Sequence, residues 1–128
     1  MKLLLDTHVL LWAFEAPKRL DRKTISLLNS DTHQKWFSVV SLWEIGVKQG
    51  LKRTDFNVDA RQLRSELVRR GFAELSISAE HTLAVGRLPA LHRDPFDRLL
   101  LCQALVEGLT LVTGDELLLQ YPYSLLQV

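Results

Sequence analysis

Four acidic residues stand where a chain of this kind would do chemistry: Asp6, Glu44, Asp97 and Asp115. Asp6 ends the apolar run Leu3, Leu4, Leu5, and a charge that closes a buried strand is costly unless it is used. Glu44 is expected in the first turn of the helix after a second strand. Asp97 is expected in the first turn of the helix before a fourth strand, and Asp115 just after that strand. Ligands of open α/β sheets gather outside the carboxyl ends of the strands. With all strands parallel, the four acids would reach one cleft. Convergent carboxylates repel one another and call for a cation. The chain has one cysteine, Cys102, and its four histidines (His8, His33, His81, His92) lack zinc-motif spacing. Oxygen-only ligands favour Mg²⁺ or Mn²⁺, and an acidic, hydrated site of that kind suits phosphodiester hydrolysis.

Each acid also has a structural reading. Glu44 with Ser41 matches a capping box, S-x-x-E. Asp94 and Asp97 match an N-cap followed by a first-turn acid favoured by the helix dipole, and Asp115 sits in a Gly-Asp turn. Asp6 has no such alternative. Around them, Thr7 and Thr113 flank the expected cleft and are candidates to hold a carboxylate, a water or the backbone. Lys48 follows Glu44 by one turn, as a partner for that carboxylate or for a phosphate; the competing reading, a surface i,i+4 pair worth about 0.3 kcal/mol, is favoured slightly. Lys52 and Arg53, with Arg61, Arg64, Arg69 and Arg70, are candidates for an RNA track, at least half of them expected on solvated faces. Trp12 and Trp43 are expected in the core or a subunit interface, and Cys102 in the core.

The elements that must position these residues follow from pattern. Residues 3–5 form an apolar run suited to a strand buried on both faces. Thr7 is expected to cap a helix over 9–14, stopped by Pro17, and Asp21 one to about Asn29. Residues 35–40 are β-rich and read as the second strand. Ser41 opens a helix ending at Gly50, and residues 51–58 form a polar, basic connector. Asp59 caps a helix to Arg70 closed by Gly71, residues 72–77 form a third strand, and Ser78 caps a helix to about Arg87. Asp94-Pro95 starts a long apolar helix to Glu107, with Gly108 past its end. Residues 109–113 form the fourth strand, 116–120 a short helix and 123–128 an edge strand. Alternating strands and helices give an α/β/α sandwich with a parallel sheet of four or five strands.

At 128 residues the chain fits one domain, 1–128, large enough to bury roughly two thirds of its unfolded surface. A hydrophobic content of 47% is that of an ordinary globular protein, no run approaches the roughly 20 residues that span a bilayer, and no secretory signal is read. A lone cysteine excludes an internal disulfide and points to a reducing, cytoplasmic setting. A net charge of +1 excludes a strongly basic, sequence-blind polyanion binder, but the last thirty residues contain no Lys or Arg, so a nucleic acid would meet basic residues from mid-chain.

Four segments in order carry a resemblance: LLLDTHVLLWA (3–13), SVVSLWEIGVK (38–48), LPALHRDPFDRLLLCQA (88–104) and LTLVTGDELLLQYP (109–122). Together they resemble the PIN-domain ribonucleases, specifically the VapC-type toxins of prokaryotic toxin–antitoxin pairs. The resemblance implies Mg²⁺- or Mn²⁺-dependent cleavage of RNA, transfer or ribosomal, by an acidic site on Asp6, Glu44, Asp97 and Asp115. It takes Asp97 as the ligand, Asp94 as a cap or outer acid, and Thr113 as the hydroxyl beside the last acid. It also implies a homodimer and a cognate antitoxin that covers the cleft. Leu118 departs from the family, standing where an aromatic is frequent. A haloacid-dehalogenase phosphatase would need an Asp at His8, a receiver domain a lysine beyond Arg98, and no Gly-rich phosphate loop is present. The alternative from another class is a catalytically weak PIN-like module that binds RNA or a partner.

Overall fold

The computed structural model describes residues 1–53 and 55–128. Five parallel strands alternate with six α-helices. In chain order these are β1 (Lys2–Leu5), α1 (Thr7–Glu15), α2 (Arg22–Asn29), β2 (Gln34–Ser38), α3 (Val39–Gly50), α4 (Ala60–Arg69), β3 (Ala73–Leu75), α5 (Ala79–Val85), α6 (Pro95–Glu107), β4 (Thr110–Thr113) and β5 (Leu125–Gln127). Short 3₁₀ turns cover Pro17–Arg19 and Leu118–Gln120. The sheet order is β3-β2-β1-β4-β5, with β5 on the edge as expected. The chain builds outward from β1 through β2 to β3, then crosses back to lay β4 on the other side of β1. The switch point therefore falls between β1 and β4, where the sheet opens a crevice at the carboxyl ends.

The period of two along the central strands divides the core. Leu4 and Leu111, partners in register, face one layer with Leu100, Leu101 and Cys102 of α6. Leu3, Leu5 and Val112 face the other, with Val9, Leu10, Ile45 and Leu67. β1 is thus apolar on both faces because helices cover both. Gly71 and Gly108, with φ of +87° and +69°, end α4 and α6 in the left-handed conformation that glycine adopts without steric cost. No helix of the described residues is long and apolar enough to cross a membrane.

Several local expectations are corrected. Asp6, not Thr7, caps α1: its carboxylate accepts from the Val9 amide, and Thr7 is the first helical residue. The second strand stops at Ser38, whose hydroxyl accepts from the Val40 amide, so α3 begins at Val39, two residues before Ser41. Val39 and Val40 favour strand by β-branching, but a buried cap and the core seat of Val40 outweigh that preference. Ser41 and Glu44 therefore form no capping box, and Glu44 lies in the second turn. The third strand is also shorter than 72–77, and residues 116–120 give a single 3₁₀ turn. Thr54, in the expected connector, lies outside the described residues.

Candidate active site

The chain brings its acids together from four places. Asp6, 4% exposed, leaves the end of β1 with each oxygen engaged. Oδ1 accepts from the Val9 amide at 2.9 Å, and Oδ2 accepts from the Thr113 hydroxyl. Thr113 ends the neighbouring strand and also accepts from the Asp115 amide at 3.0 Å, which links the two acids across the β1–β4 crevice. Burial pushes the Asp6 carboxyl up; the Thr113 and Val9 hydrogen bonds and His8 oppose this, and Glu44 reinforces it.

Glu44 comes from the buried side of α3. Thr7 donates to its Oε1 at 2.5 Å and shares a hydrogen bond with Ser41 at 2.9 Å. Lys48 donates to the other Glu44 oxygen and to Asp94 Oδ2 at 3.3 Å. With its side chain only 12% exposed, Lys48 is not the surface partner that spacing alone favours. Desolvation works to lower its pKa, but Glu44 and Asp94 outweigh it and hold the ammonium charged. Asp94 caps α6: its Oδ1 accepts from the Phe96 and Asp97 amides at 2.8 and 3.2 Å.

Asp97 stands at the centre. One oxygen each of Glu44, Asp94 and Asp97 lies within 4.8 Å of the others, and the same holds for atoms of His92, Asp97 and Asp115. Burial first, then the charges of Asp94, Glu44, Asp6 and Asp115, push the Asp97 carboxyl up to about 8. Asp115 goes the other way. Burial would raise it, but a hydrogen bond from His92 and the amides of Leu118 and Leu117 hold it below the usual carboxylate range.

His92 is the residue that sequence reasoning missed, having been read only for zinc spacing. Its Nδ1 accepts from the Asp94 amide at 3.0 Å, so Nε2 carries the proton. Nε2 donates to Asp115 Oδ2 at 3.2 Å and lies 3.1 Å from Asp97 Oδ2. The loop that delivers it is clamped. Arg98 donates to the carbonyls of Val85, Leu88, Pro89 and His92, and the Tyr121 hydroxyl accepts from the Leu91 and His92 amides. The local signal was a histidine two residues before a helix cap; its second partner, Asp115, is 23 residues away.

Lys52 and Arg53 lie outside the acidic cluster. Lys52 is exposed, and Arg53 grips Asp55 through two hydrogen bonds of 3.1 and 3.0 Å. Trp43 is 51% exposed, its ring edge-on to Phe96 at 4.6 Å, so of the core and the subunit interface expected for it the core is ruled out. Cys102 is fully buried, as expected. The donor set fits a hard divalent cation. Carboxylate oxygens predominate, and a positive ion beside Asp97 would offset both the burial and the neighbouring negative charges that push its carboxyl up. His92 Nε2, the ring nitrogen facing Asp97 and Asp115, donates to Asp115.

The sequence model of the PIN domain matches residues 3–122. Several solved structures share the fold. VapBC2 from Rickettsia felis, bound to a DNA fragment from its promoter, superposes with a TM-score of 0.70 at 20% identity, covering 100% of this chain and 98% of that one. A toxin–antitoxin complex from Klebsiella pneumoniae gives 0.67 at 20%, covering 98% and 96%. DNA-bound VapBC from Salmonella typhimurium gives 0.66 at 16%, covering 100% and 97%. No curated protein sequence matches.

Proposed function

Since the chain belongs to the PIN domain family, we propose that it is a cytoplasmic, Mg²⁺- or Mn²⁺-dependent endoribonuclease, the toxin of a toxin–antitoxin pair, acting as one unit over residues 1–128. The observation that carries this reading is the placement of Asp97 among the charges of Asp94, Glu44, Asp6 and Asp115. Carboxylates gathered in this way are the arrangement by which a divalent-cation site is built.

In this reading Asp97 and Asp115, backed by Asp6, hold the ion, and Glu44 adds charge from α3. The bound ion supplies Lewis-acid activation of the phosphodiester and of water. The chain's own residues arrange the rest. Thr113 fixes the Asp6 carboxylate and the start of the Asp115 turn. His92 donates to Asp115 and lies against Asp97, so it sits between the two carboxylates. Lys48 neutralises Glu44 and Asp94, so an incoming phosphate meets less negative charge. The partner in the reading is an antitoxin, as in the VapBC complexes that share the fold, and the chain is a homodimer. Transfer or ribosomal RNA is the substrate.

The test is cleavage of purified transfer and ribosomal RNA with Mg²⁺ or Mn²⁺, with EDTA, and by Asp97→Asn. Discrete fragments that require both the metal and Asp97 are expected. Absence of cleavage together with absence of Mn²⁺ binding would replace this reading with that of a non-catalytic binding module.

A further inference from the structure

The acidic cluster has two halves that meet at Asp97: Glu44, Asp94 and Asp97 on one side, and His92, Asp97 and Asp115 on the other. An arrangement with two metal ions about 3.5–4 Å apart would set one ion in each half. The two halves are not equivalent. The first already contains a cation. Lys48 Nζ donates to Glu44 and to Asp94, with the Glu44 side chain 1% exposed. The ammonium also lies 5.0 Å from the ring centre of Phe56 and 5.5 Å from that of Phe96, aromatic faces that attract a cation and keep water away.

In this half the oxygens of Glu44 and Asp94 already accept hydrogen bonds, and both acids share the Lys48 ammonium. Glu44 spends one oxygen on Thr7 and the other on Lys48. Asp94 spends one on the first amides of α6 and the other on Lys48. A divalent ion entering there would have to displace the part-buried Lys48 ammonium or sit directly against it. Among the described residues no ammonium or guanidinium is paired with Asp97 or Asp115; the His92 ring faces them, its Nε2 3.1 Å from Asp97 and hydrogen-bonded to Asp115 at 3.2 Å.

We infer that Lys48 takes the place of a second metal ion, so that the chain binds one divalent cation, on the Asp97–Asp115 side, and Glu44 anchors Lys48 rather than ligating metal. This rests on the metal-dependent reading above. Lys48 thereby acts as a positioning residue, a fixed positive charge next to the ion.

The experiment counts Mn²⁺ on the EDTA-stripped full chain without RNA, by calorimetry and by electron paramagnetic resonance. The wild type is expected to bind one ion, with the spectrum of an isolated Mn²⁺ and no spin-coupled pair. Lys48→Met is expected to bind two, and Lys48→Arg one. Glu44→Gln should keep the count at one and weaken binding by about 10–100-fold, the effect of an outer partner, while Asp97→Asn abolishes it. Two ions on the wild type, or one on a folded Lys48→Met, would overturn the inference. If Lys48→Met does not fold, Glu44→Gln decides: a loss as large as that of Asp97→Asn would overturn it. No Mn²⁺ on the wild type would instead remove the metal-dependent reading, and this inference with it.

Discussion

Asp97 shows how one residue can link stability to function. Its carboxyl titrates at about 8 in the fold against 3.8 ordinarily, so the folded chain binds more protons than the unfolded chain between those values. Stability of the metal-free protein must therefore fall as pH rises from about 4 to about 8. Asp6, raised by burial, acts in the same direction. Asp115, held low, acts oppositely, adding stability above the usual carboxylate range that is lost as pH falls. In EDTA the wild type should melt lower at pH 8 than at pH 5. Asp97→Asn, which keeps an acceptor for His92 but no charge, should flatten that dependence and melt about 3–8 °C above the wild type at pH 8, the shift that roughly 1–2 kcal/mol gives a domain of this size. Equal melting temperatures at pH 8 would mean that Asp97 carries no such strain.

Among the elements, the junction from β2 to α3 decides where Glu44 and Lys48 come to rest. The helix starts at Val39, and its cap, Ser38, also donates to the buried amide oxygen of Gln103 on α6. Ser38→Ala removes both, and should cost about 2 kcal/mol: about 1 for the cap and about 1 for the unpaired Gln103 oxygen. Ser41→Ala loses only a hydroxyl pair with Thr7, which still donates to Glu44, and should cost about 0.5–1 kcal/mol. Urea denaturation of the two variants separates these values; a larger loss for Ser41→Ala would mean that the helix begins three residues later. The start at Val39 turns Ser41 and Glu44 inward and places Lys48, one turn on, within reach of Asp94.

At the scale of the molecule, charge is unevenly distributed. The acids gather at the carboxyl edge of the sheet, and the last thirty residues contain no Lys or Arg. The connector after α3 supplies Lys52 and Arg53, both exposed, and Asp55 joins Arg53 to His8, which follows Asp6 by two residues. If RNA reaches the acids past this connector, Lys52→Glu with Arg53→Glu should weaken binding of a cleavage-resistant RNA about 3–10-fold in EDTA and flatten its salt dependence by about one phosphate contact. Mn²⁺ affinity should not change. Unchanged RNA affinity would take the connector off the path.

The alternation of apolar runs and capped helices determined the order of elements and the parallel sheet, because those signals are local: Leu3 to Leu5, the caps at Asp21, Asp59, Ser78 and Asp94, and the glycine after α6 each act within one turn. It also placed Asp6, Glu44, Asp97 and Asp115 at one edge, since strand direction follows from alternation. Where two local rules competed, only the fold chose between them. Ser38 and Ser41 are both fit to cap, and burial against Gln103 selected the first. Lys48 could equally have stood in solvent; it is buried because Asp94, 46 residues on, and the rings of Phe56 and Phe96 meet it there. His92 was invisible for the same reason. Its role depends on Asp115, brought to it by the strand order that lays β4 against β1, and no spacing within the chain encodes that distance.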